Sequence, residues 1–260
     1  MKSTEIILGF PISTETLGAL VERSVSWIAS AGQGRYFVCA NPHSLEVARR
    51  EPSFERAIFE ADFVVPDGVG IVLASRLLGG RIRQRITGMD LFRAINARLD
   101  AAGGYRCFFL GSTPQNLESI RRLMAREYPG IEVAGCHSPP FRRSFTERES
   151  REMVDAVNAA RPDVLWVGLT APKQETWIRA HRGELNVKFI GPVGAVFDYF
   201  TGTVPRAAPW FLDHGLEWLP RLARQPGRLW RRNLVSNPVF LLRVARQRLV
   251  TGARGGRDGS

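Results

Sequence analysis

The sequence predicts an α/β domain with a doubly wound, mostly parallel sheet, followed by a basic helical segment. Short β-rich runs alternate with helical patterns over residues 1–203, the signature of such a sheet. Several of those runs are apolar at consecutive positions, as strands covered on both faces are. After about residue 203 the strand signal stops, and aromatic and aliphatic residues interleave with arginine.

Taken in order, the strands are expected at Glu5–Leu8, Tyr36–Ala40, Phe63–Val65, Cys107–Leu110, Ile131–Ala134, Val164–Val167 and Val187–Ile190. Helices between them carry start and stop signals. Ser13 can cap a helix running toward Gly32, and Thr113-Pro114 opens Gln115–Glu127 with proline in the first turn. Thr146 precedes Glu147–Ala160, and Pro172 opens the next helix. In such a sheet, ligands bind beyond the carboxyl ends of the strands.

The later segment divides differently. Trp218, Leu219, Leu222 and Ala223 share one side of a short helix, with Glu217, Arg221 and Arg224 on the other. Pro220, Pro226 and Pro238 break the region into short helices. Pro238–Val250 is not cleanly amphipathic, and its faces are not assignable from periodicity. The expected organisation is an α/β core over 1–203, a basic helical appendage over 204–251, and a Gly/Arg-rich disordered end over 252–260.

Composition narrows the function classes. With 44% hydrophobic and 23% charged residues, the chain buries a full core, which excludes intrinsic disorder and a disulfide mini-scaffold. The net charge is +11, of which residues 201–260 supply +8 and residues 1–200 only +3. A basic end on a near-neutral body implies a polyanionic partner, either nucleic acid or an anionic membrane surface. No run reaches 18 apolar residues, and the apolar start is too short for a signal-peptide core. Cys39, Cys107 and Cys136 form no CxxC pair, and the four histidines lack ligand spacing. A cytoplasmic protein without structural metal is expected.

The familiar nucleotide motifs are missing. There is no Walker A loop, and DGVGIVL at 67–73 lacks the third glycine of a dinucleotide fingerprint. No Asp-x-Asp occurs, so a bound diphosphate would have to be neutralised by arginines and helix amino ends rather than by a carboxylate-held Mg²⁺. Polar residues do follow the strands. Asn41, Asp67, Gly111-Ser112-Thr113, and Thr170 with Lys173-Gln174-Glu175 should lie along one rim. Asp67, between Pro66 and Gly68, is the best candidate for a general base, although it could equally cap the next helix. Gly111-Ser112-Thr113 could cradle a phosphate or simply make a strand-to-helix turn. Of Arg81, Arg83 and Arg85, one could meet a substrate while the others face solvent.

NPHSL at 41–45, PDGVG at 66–70, RITGMDL at 85–91, FFLGS at 108–112 and PKQE at 172–175 occur in this order. They are followed by GPVGAVFDYFTG at 191–202, RAAPWF at 206–211 and LEWLPRLARQPGRLWRR at 216–232. Together these strings resemble the WecG/TagA/CpsF glycosyltransferases (glycosyltransferase family 26) over nearly the whole chain. The resemblance implies a Rossmann-like core with a helical appendage that closes the site at the membrane. It further implies an inverting, metal-independent enzyme, needing no cofactor, on the inner face of the bacterial cytoplasmic membrane. The donor would be a UDP-sugar and the acceptor a sugar on undecaprenyl diphosphate, in cell-surface polysaccharide synthesis.

By the same resemblance, Asp67 is the general base, and Asn41, Arg85, Gln174, Asp198 and Gly111 belong to the donor side. Arg221, Arg228 and Arg231 would meet the acceptor diphosphate. Many relatives carry threonine where this chain has Cys39, and a thiol is a far weaker hydrogen-bonding group than a hydroxyl. The sugar handled here could therefore differ. The competing reading, an Arg-rich nucleic-acid-binding protein, fits the basic, aromatic tail but lacks any recognisable nucleic-acid module.

Overall fold

The computed structural model describes residues 3–30, 32–205, 211, 219, 227 and 236–255. The chain starts with an antiparallel hairpin of β1 (Thr4–Ile7) and β2 (Phe10–Ser13), set apart from the main sheet. The first expected strand is thus found, but as half of this hairpin. Leu8 and Gly9 both take positive φ and reverse the chain at once, the geometry that suits a two-residue hairpin turn. Its partner strand escaped notice because Pro11 interrupts it; proline is tolerated at an edge. Ser13 accordingly belongs to β2, and the cap of α1 (Leu17–Ala29) is Thr16, whose side chain accepts from the Ala19 N–H.

The main sheet is built from β3 (Arg35–Ala40), β4 (Phe63–Pro66), β5 (Tyr105–Gly111), β6 (Ile131–His137), β7 (Val164–Gly168) and β8 (Phe189–Pro192). All pairings are parallel, in the order β4-β3-β8-β7-β5-β6. Because successive strand side chains alternate, each apolar run feeds two cores. Tyr36, Val38, Phe108, Leu110, Leu165 and Val167 enter one, while Phe37, Val65, Cys107, Phe109, Trp166 and Phe189 enter the other.

Helices cover both faces. The first core is closed by α2 (Pro42–Ala48), α3 (Pro52–Phe59), α4 (Val69–Leu78), α7 (Glu147–Ala160) and α8 (Lys173–His181). The second is closed by α1, α5 (Gly88–Ala102), α6 (Pro114–Glu127) and the short α9 (Val196–Phe200). Thr113 and Thr146 cap α6 and α7 as their sequences announce. The neighbours β5 and β7 send their helices, α6 and α8, to opposite faces, which opens a crevice at their carboxyl ends.

A final helix, α10 (Asn237–Gly255), returns to the first face and packs on α4 and α2. Phe240 and Val244 are fully buried there, and the Gln247 side chain accepts from the Leu8 N–H while donating to the Ile6 carbonyl. It extends to Gly255. The expected short helices around Trp218 and Trp230 lie outside the described residues. No described helix is long and apolar enough to cross a membrane.

Candidate active site

The carboxyl rim of the sheet assembles from the turns after each strand. At the end of β3, Asn41 caps α2 in a reciprocal box: its Oδ1 accepts from the Ser44 N–H at 3.0 Å, and its own N–H donates to Ser44 Oγ at 2.8 Å. The cap occupies the carboxamide oxygen, so what Asn41 offers a ligand is its NH₂ group. The Asp67 N–H donates to the Ala40 carbonyl at 2.8 Å, which sets Asp67 beside Asn41.

Asp67 stands one residue before the cap position of the helix after it. Gly68 holds the cap position of α4 at φ +90°. The left-handed φ explains glycine there. The strip 81–87 returns to the same place, because the Ile86 N–H donates to the Pro66 carbonyl at 2.9 Å. Arg85 is half-buried, whereas Arg81 and Arg83 are exposed, so one arginine of the three turns inward. Thr87 then caps α5 through a box with Asp90.

Cys39 lies at the foot of this group. Burial pushes its thiol well above the usual range, and the negative charges of Asp67, Glu175 and Asp90 push the same way. A thiol held neutral in this way is a poor nucleophile. Gly88 packs close to its sulfur, and a Cβ there would lie 3.6 Å away.

From the far side of β8, α8 brings Gln174 and Glu175, only 4% and 2% exposed. Gln174 Nε2 donates to Glu175 Oε1 at 2.9 Å, while Gln174 Oε1 and Glu175 Oε2 are buried with no hydrogen-bond partner among the described residues. Burial raises the Glu175 carboxyl to about 7, against the lowering pull of the Gln174 bond. Gly194, at φ +55°, lies against the Gln174 carboxamide.

The other half of the rim belongs to β5. Gly111 is required by close approach: a Cβ would stand 2.6 Å from the Gly168 carbonyl oxygen. Thr113 caps α6, and Ser112 takes φ +63°. Asn116, buried in the first turn of α6, ties this turn to α9. Its Nδ2 donates to Ser112 Oγ at 2.8 Å and Asp198 Oδ1 at 3.0 Å. Its Oδ1 accepts from Thr201 Oγ1 at 2.6 Å and Thr203 Oγ1 at 3.2 Å.

The structure therefore gathers Cys39, Asn41, Asp67, Arg85 and Gln174 at one end of the crevice, and Gly111 with Asp198 at the other. Arg221, Arg228 and Arg231 lie outside the described residues. Sequence reasoning missed Asn116, Asp90 and the burial of Glu175. Asn116 had a signal: it falls on the inward stripe of α6 with Leu117, Ile120 and Met124. A cleft of about 240 Å³ at the opposite end of the sheet is lined by Arg35, Glu60, Asp62 and Arg182. Its polar groups are engaged with one another, with Arg35 paired to Asp62 at 2.7 Å and Arg182 Nη1 donating to the Glu60 backbone carbonyl at 3.1 Å.

The model of the WecG/TagA/CpsF glycosyl transferase family matches residues 5–254. A Bacillus spizizenii protein named N-acetylglucosaminyldiphosphoundecaprenol N-acetyl-beta-D-mannosaminyltransferase is 34% identical over 212 residues, covering 82% of this chain and 79% of its own length. A Staphylococcus aureus protein of the same name is 28% identical over 241 residues, 92% of this chain and 91% of its own.

Proposed function

Because this chain belongs to the WecG/TagA/CpsF family and is a glycosyltransferase, we propose that it moves a hexosyl unit from a UDP-sugar to a sugar carried on undecaprenyl diphosphate, with inversion and without a metal. The observation that carries the reading is the placement of Asp67: at the carboxyl rim, next to Asn41 and the Arg85 strip, one residue before the glycine that holds the cap position of α4.

Asp67 takes the proton of an acceptor hydroxyl as that oxygen attacks the anomeric carbon. The bond to the new oxygen forms while the bond from that carbon to the β-phosphate oxygen breaks, and UDP leaves with the electron pair. A single in-line displacement inverts the centre. A positioned general base contributes about 10²–10⁴ in rate. Arg85 and the amino ends of α4 and α6 offset the charge growing on the leaving diphosphate. That supply of positive charge, with no Asp-x-Asp in the chain, supports metal-free transfer. Gln174, Asn41 and Asp198 hold the donor.

Both named relatives transfer N-acetylmannosaminyl to N-acetylglucosaminyl-diphosphoundecaprenol, so UDP-N-acetylmannosamine heads the list of donors, followed by its uronate and UDP-glucose. The enzyme would work peripherally, on the inner face of the cytoplasmic membrane where the lipid-linked acceptor resides. UDP release from these donors, with a short-chain polyprenyl-diphosphate sugar and EDTA present, tests the reading. Acceptor-dependent turnover with one donor supports it; no turnover with any donor and a competent acceptor overturns it.

A further inference from the structure

The first turn of α8 holds a hydrogen bond that helical spacing does not favour. Adjacent residues of a helix point about 100° apart, so their side chains do not ordinarily face each other. Gln174 and Glu175 nevertheless turn together, and Gln174 Nε2 donates to Glu175 Oε1 at 2.9 Å. That bond fixes the carboxamide. A glutamine presents a donor and an acceptor side by side, and a half-turn of its terminal plane exchanges them. With Nε2 committed to Glu175, the atom left for a ligand is Oε1, which is buried without a hydrogen-bond partner among the described residues. Asn41, at the same end of the crevice, is set the other way, because its oxygen is spent on the Ser44 N–H. One carboxamide thus offers a donor and the other an acceptor.

The approach to Gln174 is shaped as well. A Cβ on Gly194 would stand 3.6 Å from both Nε2 and Oε1 but 4.0 Å from Cδ, which puts it in front of the polar edge of the carboxamide. Glycine keeps that approach open, at a φ of +55° that larger residues rarely take. The pair also lies at the reacting end of the crevice. The carboxyls of Asp67, Glu175 and Asp90 all bear on the Cys39 thiol, so Glu175 shares its surroundings with the base.

We propose that Glu175 is a positioning residue: it locks the Gln174 carboxamide with its carbonyl oxygen toward the transferred sugar, so that the pocket selects a sugar carrying an N–H or O–H at that place. This rests on the reading that a nucleotide-linked sugar is held beside Asp67, and it names the group of that sugar which Gln174 meets. The oxygen is closed to water. A sugar without the matching hydrogen therefore leaves it unsatisfied, which is how a buried acceptor discriminates.

The test is a double-mutant cycle read by calorimetry, without acceptor, using UDP and whichever of UDP-N-acetylmannosamine, its uronate and UDP-glucose the wild-type chain binds best. Methionine approximates the length of both side chains and makes neither bond. Glu175→Met and Gln174→Met should each lose about tenfold in affinity for the UDP-sugar and leave UDP binding unchanged. The double variant should lose no more than either single one, because Glu175 acts through Gln174. Glu175→Gln, whose Oε1 can take the same bond, should recover most of the loss. Losses that add in the double variant, a loss shared equally by UDP, or wild-type affinity in Glu175→Met overturns the proposal. A second measurement covers a Glu175→Met chain that does not fold. The side-chain amide resonances of Gln174, assigned by their loss in Gln174→Met, should move in ligand-free Glu175→Gln; resonances that stay in place overturn the proposal as well. A wild-type chain that binds none of the three UDP-sugars overturns the donor reading itself and this inference with it, an outcome visible before any substitution is made.

Discussion

The two ends of the parallel sheet hold polar side chains of similar types and use them in opposite ways. At the amino end they close on each other. Asp62 accepts from the Arg35 guanidinium and the Tyr36 N–H, Asp163 pairs with Lys188 at 3.0 Å, and Arg179 pairs with Glu60 at 2.8 Å. Left-handed positions occur at both ends, and Arg106 Nε at the amino end is buried without a partner too, but only at the carboxyl end are a whole carboxyl and carboxamide sequestered, with one oxygen each of Gln174 and Glu175 unpaired among the described residues. Unmade buried hydrogen bonds cost about 1–3 kcal/mol each, so folding alone does not favour them. The contrast is between charges that neutralise one another at one end and a buried carboxyl–carboxamide pair left with open acceptors at the other, which is the end a ligand can complete.

The sharpest way to break the contrast is at Asp67. Asp67→Asn keeps the shape and removes the base, so kcat should fall by about 10²–10⁴ while UDP binding by calorimetry stays near wild type. Retained turnover would take Asp67 out of the role. The next effect belongs to Asn116. Asn116→Asp removes the two hydrogens given to Ser112 and Asp198, and sets a second carboxylate 3.0 Å from Asp198. Displaced donor contacts of this kind cost about 10²-fold in kcat/KM. Part of that loss should return below neutral pH, where one shared proton restores a bond between the two carboxyls. A flat pH profile of the variant-to-wild-type ratio would reduce Asn116 to a packing residue.

Glu175 sharpens the comparison through stability. Its folded carboxyl titrates at about 7 against an ordinary value of 4.5, so the folded state holds more protons between those values. Stability therefore falls as pH rises from about 4.5 to 7, and the loss is complete above that window. The size is on the order of 3 kcal/mol. Glu175→Gln should flatten the melting temperature against pH over this window and make the variant the more stable protein at pH 8. An unchanged slope would mean that Glu175 does not carry the proton.

Much of this was legible before the structure, for physical reasons that differ by element. Helices α6 and α7 were readable because Thr113-Pro114 and Thr146 with Glu149 are local signals, settled within one turn. Asn41, Asp67 and Gln174 were legible from their motifs and their place after strands. Helix α10 was not, because inward Phe240 and outward Leu242 spread its apolar residues around the axis and blur any single face. Asn116 and Glu175 depend on what packs over them, and spacing does not report burial. Arg221, Arg228 and Arg231 were named from the same motifs and lie outside the described residues.

The smallest expected effect on catalysis is at the amino end, and it is the control for the rest. Asp62→Ala leaves the buried Tyr36 N–H without its 3.0 Å acceptor and releases Arg35, but touches nothing at the rim. Unfolding in urea should show a loss of about 1–3 kcal/mol, dominated by the unsatisfied N–H rather than by the half-exposed Arg35 partner. The kcat of the folded fraction should stay within about twofold of wild type. If kcat instead falls as it does for Asn116→Asp, the two ends are mechanically coupled through β3, which runs from Arg35 to the Asn41 turn. The division between a structural end and a ligand end would then have to be redrawn along that strand.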